Sequence, residues 1–73
     1  MRIHEYAIRN KGDRWEVMLD GRLTGGQPTQ RAALHFADAL AQAAAVRGSW
    51  SKIVVFDGDG SSLEFPTIGP AQD

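Results

Sequence analysis

The stretch from Thr29 to Gly48, TQRAALHFADALAQAAAVRG, constrains the fold more than any other part of this sequence. Its apolar stripe recurs at helical spacing and is mostly alanine, with Phe36 and Leu40 as its large members. Such small side chains let a helix lie close against a sheet. We therefore predict a helix over residues 30–47, capped by the Thr29 hydroxyl and ended by Gly48, which packs on β-strands.

The residues before this helix have the alternation of strands. RIHEYAIR (2–9) and RWEVML (14–19) flank the turn residues NKGD, which predicts a hairpin. With Lys11-Gly12 as its two-residue loop, Ile8 is expected opposite Trp15. Asp20-Gly21 predicts another turn, followed by a short third strand at RLT. The next residues, GGQPTQ, are expected to be a connector that does not continue a strand.

A second hairpin is predicted after the helix, where WSKIVVF and SSLEF flank Asp59-Gly60. That loop places Phe56 opposite Leu63 and Val54 opposite Phe65. The order ββ(β)αββ predicts an α+β fold of two layers, an antiparallel sheet with one helix packed on one face. We expect one domain over residues 1–67 and a C-terminal tail over residues 68–73.

Composition restricts the function classes. The chain has 73 residues, no cysteine and a net charge of −1, so disulfides and thiolate metal sites are excluded. Near-neutral charge disfavours tight, non-specific binding to nucleic acid or anionic membranes. The first residues, MRIHEYAIRN, lack the apolar core of a signal peptide, and no apolar run approaches the roughly 20 residues of a membrane span. We expect a cytoplasmic protein that does not bind membranes.

One face of the predicted sheet is apolar enough to meet the helix. The other face should be polar in a simple two-layer monomer, but the same alternation gives it several apolar residues among charged ones. The apolar members are Ile3, Ala7, Met18, Ile53 and Val55. A mixed patch of this kind is typical of a contact surface. We therefore predict that Ile3, Met18, Ile53 and Val55 bind a second copy or another protein; the alternative is that scattered surface apolar residues carry no role.

An alternative function is nucleic-acid binding. Arg9, Arg14 and Arg22 lie near the first hairpin, and a sheet that presents arginines fits a DNA groove. The acidic residues Glu5, Asp13, Glu16 and Asp20 are interspersed with these arginines and would weaken the positive field. Nucleic acid is therefore the less favoured partner.

The remaining motifs indicate no catalytic, cofactor or metal site. DGDG at 57–60 has acidic residues, but the spacing of a calcium loop fails, because the glycine at position 6 and the glutamate at position 12 are missing. His4 and His35 lack the i,i+4 partner of a zinc helix. The glycines at 25–26 lack a phosphate-loop lysine. We expect a non-enzymatic module without a cofactor.

A wider pattern covers residues 14–60: Trp15-x-Val17, Gly21, a helix start with Thr29 and Ala33, then Ile53-Val54-Val55 and Asp59-Gly60. It resembles a family of small bacterial proteins classified only as a domain of unknown function. The resemblance implies a strand-rich sheet with one helix, and it implies no activity and no binding residue. This chain differs from the family in having GGQP before the helix.

Two other similarities are less extensive. The pattern is similar to the arm-type DNA-binding domain of phage integrases, in which a three-stranded sheet enters the major groove. That resemblance implies that Arg9, Arg14 and Arg22 contact DNA. The chain is also similar to small antitoxin modules with a βββα core, which implies protein binding through an edge strand.

Overall fold

The computed structural model describes residues 3–70 of the chain. It is an α+β fold with one helix and a five-stranded sheet. The elements follow the chain in the order β1 (Ile3–Asn10), β2 (Trp15–Leu19), β3 (Arg22–Gln27), α1 (Gln30–Val46), β4 (Trp50–Phe56) and β5 (Ser62–Glu64).

The sheet is mixed, so the prediction of a purely antiparallel sheet is wrong. The strand order is β3-β2-β1-β4-β5, and the central pair, β1 and β4, is parallel. Two hairpin turns leave β3 running in the same direction as β1. The helix then returns the chain across the sheet, so β4 is added beside β1 in that direction. The sequence patterns identified the strands but not this crossover.

The turns explain two register differences. In the first hairpin the Lys11 amide donates to the Arg14 carbonyl at 2.8 Å, so the loop is Gly12-Asp13, with Gly12 at a φ of +92°. Ile8 consequently lies opposite Val17 instead of Trp15. This shift of two residues leaves every side chain on its predicted face.

The second hairpin differs by one residue, which changes faces. The Asp57 amide donates to the Ser61 carbonyl at 2.9 Å across a three-residue loop, and Gly60 has a φ of +94°, as a type I turn with a bulge requires. Val55 therefore lies opposite Leu63, and Phe56 opposite Ser62. The predicted pairs of Phe56 with Leu63 and Val54 with Phe65 are wrong.

The third strand is longer than predicted. It runs through Gly25 and Gly26 to Gln27, after a register shift opposite Val17 and Met18. A Cβ on Gly25 would lie 3.2 Å from the Phe36 ring. The glycine therefore lets the helix approach this strand closely, and the expected connector is part of the sheet.

Both predicted helix ends are confirmed. The Thr29 side chain accepts a hydrogen bond from the Ala32 amide at 3.1 Å. At the other end Gly48 has a φ of +91°, and the amides of Gly48 and Ser49 donate to the carbonyls of Ala45 and Ala44. This is a Schellman motif.

The core lies between α1 and one face of the sheet, which we call the covered face. It consists of alternate strand residues and the alanine stripe of the helix. Its buried members are Tyr6, Ile8, Val17, Ala33, Ala37, Ala41, Ile53 and Val55. Trp15 packs against this cluster, so it is a core residue, as its alternation with Val17 predicts.

Candidate functional site

The opposite side of the sheet carries no helix, and we call it the open face. The cross-strand register defines it, because directly paired residues share a face. Its side chains on strands β1 to β4 are Ile3, Glu5, Ala7, Arg9, Glu16, Met18, Leu23, Trp50, Lys52, Val54 and Phe56, and β5 adds Ser62 and Glu64. No helix or strand of the described chain packs on it, and the segment at Gly69 contacts it only at Trp50.

An apolar row crosses the middle of the open face. Leu23 lies opposite Met18, Met18 opposite Ala7, and Ala7 opposite Val54. We call these four residues the central row. Leu23 is 60% exposed, whereas Val54 is 4% exposed among its neighbours on this face. The row thus has its large, accessible side chains at the β3 end.

A second row lies beside the central row, toward the first hairpin loop. It contains Glu16 on β2, Arg9 on β1 and Phe56 on β4. The Arg9 guanidinium lies 5.4 Å from the centre of the Phe56 ring, within the range of a cation–π contact. Arg14 extends over Gly26 and lies 3.3 Å from the Glu16 carboxylate. This row is charged where the central row is apolar.

A hollow of about 320 Å³ occupies the centre of the open face. The small Ala7 side chain forms part of its lining, together with Met18 and Phe56. Glu5 and Arg9 bring opposite charges to the same hollow. Its shape and mixed lining suit a side chain of a partner more than an enclosed small molecule.

The structure divides the four predicted contact residues between the two faces. Ile3 and Met18 lie on the open face, as predicted. Ile53 and Val55 are 4% and 1% exposed and belong to the core against α1, so their predicted placement is wrong. The reason is that IVVF is apolar at every position, so alternation alone does not choose its face. A charged substitution at Ile53 would disrupt the core.

Sequence reasoning missed Leu23 on β3 and three apolar residues of β4, Trp50, Val54 and Phe56, on the open face. A signal for Leu23 was present, since a two-residue turn at Asp20-Gly21 places it opposite Met18. The three residues of β4 depend on its parallel register with β1. Trp50 packs on Gly69, where an added Cβ would clash with the indole ring.

The arginines of the nucleic-acid alternative are not gathered on one surface. Arg9 and Arg14 lie on the open face, and each has an intramolecular neighbour, Phe56 and Glu16 respectively. Arg22 pairs with Leu19, a residue of the covered face. The three side chains therefore do not form a single positive stripe.

His4 has a structural contact. Its Nδ1 lies 2.7 Å from Asp20 Oδ2, and Asp20 Oδ1 accepts a hydrogen bond from the Glu5 amide at 3.0 Å. Asp20 has a φ of +50° in the turn between β2 and β3. These bonds hold that turn against β1, at one end of the open face.

A second concavity lies between α1 and the chain after β5. It has a volume of about 410 Å³ and an apolar floor that includes Leu34, Ile53, Phe65 and Ile68. Ile68, the first residue of the predicted tail, exchanges two backbone hydrogen bonds with Ser51. The sequence did not predict this groove, because Ile68, which closes it, was expected to lie in a tail.

No protein-family model, curated protein or solved structure matches this chain. Within residues 3–70, no three histidine or acidic side chains come together as metal ligands. No helix in that range has the length and apolarity to cross a membrane.

Proposed function

We propose that this protein is a small interaction module that self-associates through its open face. The observation that carries the proposal is the central row: contiguous apolar side chains on a sheet face that no element of the described chain covers, ending in a Leu23 that is 60% exposed. Burial of such a row in a partner removes apolar surface from water, which is the main favourable term in association.

The size of the chain supports the same proposal. A domain of 73 residues without disulfides has a small core and a net stability of only a few kcal/mol. Association adds buried apolar surface to that core. A second copy is always present at the concentration of the protein itself, so we take it as the first partner to test.

The test is a light-scattering mass measured over a range of protein concentrations, at low and high salt. Wild-type protein is expected to shift from monomer to dimer mass, with little dependence on salt because the central row is apolar. Met18→Lys should abolish the shift. Val46→Lys is the matched control, because Val46 is an apolar residue on α1 that is 88% exposed. A monomer at every concentration, or a dimer that survives Met18→Lys, would overturn the proposal.

Association through an edge strand is a second candidate. β3 has six residues and lies at one edge of the sheet, so its outer backbone groups offer pairing to another strand. Amide hydrogen exchange separates the two candidates. Edge pairing should slow the exchange of β3 amides on association, whereas contact through the open face should leave those rates nearly unchanged.

Nucleic-acid binding stays an alternative that has less support. The dispersal of Arg9, Arg14 and Arg22 over two faces gives no continuous positive surface. If the alternative holds, the chain binds duplex DNA with an affinity that falls steeply with salt, and Arg9→Ala weakens the complex. Salt-insensitive self-association without DNA binding would exclude it.

A further inference from the structure

The pattern of side chains on the open face is complementary to itself. An isologous dimer places the same patch of two copies together, so every protruding side chain needs a matching recess on the other side of the two-fold axis. The central row meets this condition at Met18, whose counterpart across the midpoint of the row is the small Ala7 beside the hollow. Its midpoint lies between Met18 and Ala7, with large side chains toward β3 and a small one at the hollow.

We propose that two copies stack face to face about an axis that runs parallel to the strands, between β1 and β2. This inference rests on the proposed function. The rotation exchanges the two sides of the central row, so Met18 of each copy enters the hollow over Ala7 of the other. Leu23 of each copy lies on Val54 of the other. The four longer strands overlap, and the three-residue β5 lies outside the contact.

The charges of the neighbouring row agree with the same axis. Glu16 and Arg9 lie on opposite sides of it, so each Glu16 carboxylate faces the Arg9 guanidinium of the other copy. Within one copy, Arg9 contacts the Phe56 ring and has no ion pair among the described residues, whereas Glu16 lies 3.3 Å from the Arg14 guanidinium and would be shared between the two arginines. Charges of opposite sign across an interface fix its register.

The acidic residues near the β2–β3 turn are compatible with this arrangement. The rotation brings Asp20 toward Glu5 of the second copy. Asp20 is already held by His4 at 2.7 Å and by the Glu5 amide at 3.0 Å. Its carboxylate is therefore turned toward its own chain.

An axis perpendicular to the strands is less favourable. It would place Ala7 on Ala7 and Met18 on Met18, so that two hollows of about 320 Å³ face each other. Facing hollows would leave a void, and the loss of contacts around a void is costly. The axis parallel to the strands instead places a methionine side chain of one copy over each hollow of the other.

The expected dimer is small. Four strands about 4.8 Å apart and about 20 Å long give a flat overlap of roughly 400 Å² per copy. A standard interface buries about 800 Å² per partner. We therefore expect a dissociation constant in the micromolar range or above. The protein concentrations used in the measurements must extend to the millimolar range.

Exchange of the two side chains tests the pairing. Met18→Ala removes the protruding group, and Ala7→Met fills the hollow, so each variant alone should weaken dimerisation about tenfold or more. The double variant Ala7→Met/Met18→Ala moves the protrusion to the other side of the axis. It should restore dimerisation to within about threefold of wild type, because the summed volume of the pair is unchanged.

Sedimentation equilibrium provides the dissociation constants, and circular dichroism verifies that each variant is folded. If Ala7→Met strengthens dimerisation, or if the double variant is as weak as the single ones, the proposed axis is wrong. If Met18→Lys still abolishes self-association in that case, the open face remains the contact surface. If the wild-type chain does not associate, the proposed function and this inference both fail.

Discussion

The two faces of one sheet differ in how completely their apolar side chains are used. On the covered face, Ile8 and Val17 are 0% exposed beneath the alanine stripe of α1. On the open face the same strands alternate apolar and charged residues, and Ile3 is 47% exposed. A face that alternates apolar and charged side chains cannot form a dry core, but it can still form a contact surface. The covered face provides the core, and we propose that association uses the open face.

The largest effect should come from Ile8→Ala. It creates a cavity on the covered face, so we expect a loss of about 2–5 kcal/mol in the free energy of unfolding. Such a loss approaches the whole stability of a small domain. Ile3→Ala, in the same strand but on the open face, should cost less than about 1 kcal/mol. Urea titrations followed by tryptophan fluorescence measure both, and equal losses would contradict the division between the faces.

A smaller effect is expected where the chain after β5 meets the open face. Gly69→Ala introduces a Cβ that clashes with the Trp50 indole, and such overpacking costs about 1–3 kcal/mol. Gly58→Ala is the control, because a Cβ there has no neighbour within 4 Å. If Gly69→Ala unfolds at the same urea concentration as Gly58→Ala, the residues after β5 do not stabilise the fold.

Alkaline pH should lower the free energy of unfolding through Tyr6, a buried residue of the covered face. Burial raises the pKa of the Tyr6 phenol above its ordinary value of 10.0, while Arg47 lowers this pKa and Asp20 raises it. The folded state therefore keeps the proton after the unfolded chain releases it, so stability falls as the pH rises above about 10. Tyr6→Phe should remove this part of the pH dependence. The urea midpoints of wild type and Tyr6→Phe are measured at pH 8, 10 and 11. If both midpoints fall equally with pH, Tyr6 does not cause the loss of stability.

The smallest effect is expected at Ser51. Its hydroxyl oxygen is buried on the covered face and has no hydrogen-bond partner among residues 3–70. Removing an unpaired buried hydroxyl recovers its desolvation penalty, so Ser51→Ala should be neutral or stabilise the fold by up to about 1 kcal/mol. Ser62→Ala, at an exposed position of β5, provides the reference. A loss of stability greater than that reference would show that the Ser51 hydroxyl has a partner.

The sequence predicted the elements whose signals are local. Helix α1, its cap at Thr29 and its end at Gly48 follow from periodicity and capping chemistry. The face on which each side chain of β1 and β2 lies follows from the alternation of polar and apolar residues along these strands. These features depend on neighbours within a few positions of the chain.

The face of β4 and the topology were not predicted from the sequence for physical reasons. The run Ile53-Val54-Val55-Phe56 is apolar throughout, as in many buried central strands, so its face depends on the parallel register with β1. That register depends on where the crossover helix returns the chain. As a result only Ile3 and Met18 of the four predicted contact residues lie on the open face, and Ile53 and Val55 lie in the core.

The most direct test of self-association through the open face is a series of methyl NMR spectra at increasing protein concentration. If the open face is the contact surface, the methyl signals of Met18 and Ala7 shift progressively with protein concentration. The signal of Val46, an exposed residue of α1, should stay constant. Shifts confined to Val46 and to Leu34 in the groove beside α1, with Met18 and Ala7 unchanged, would contradict the assignment of association to the open face.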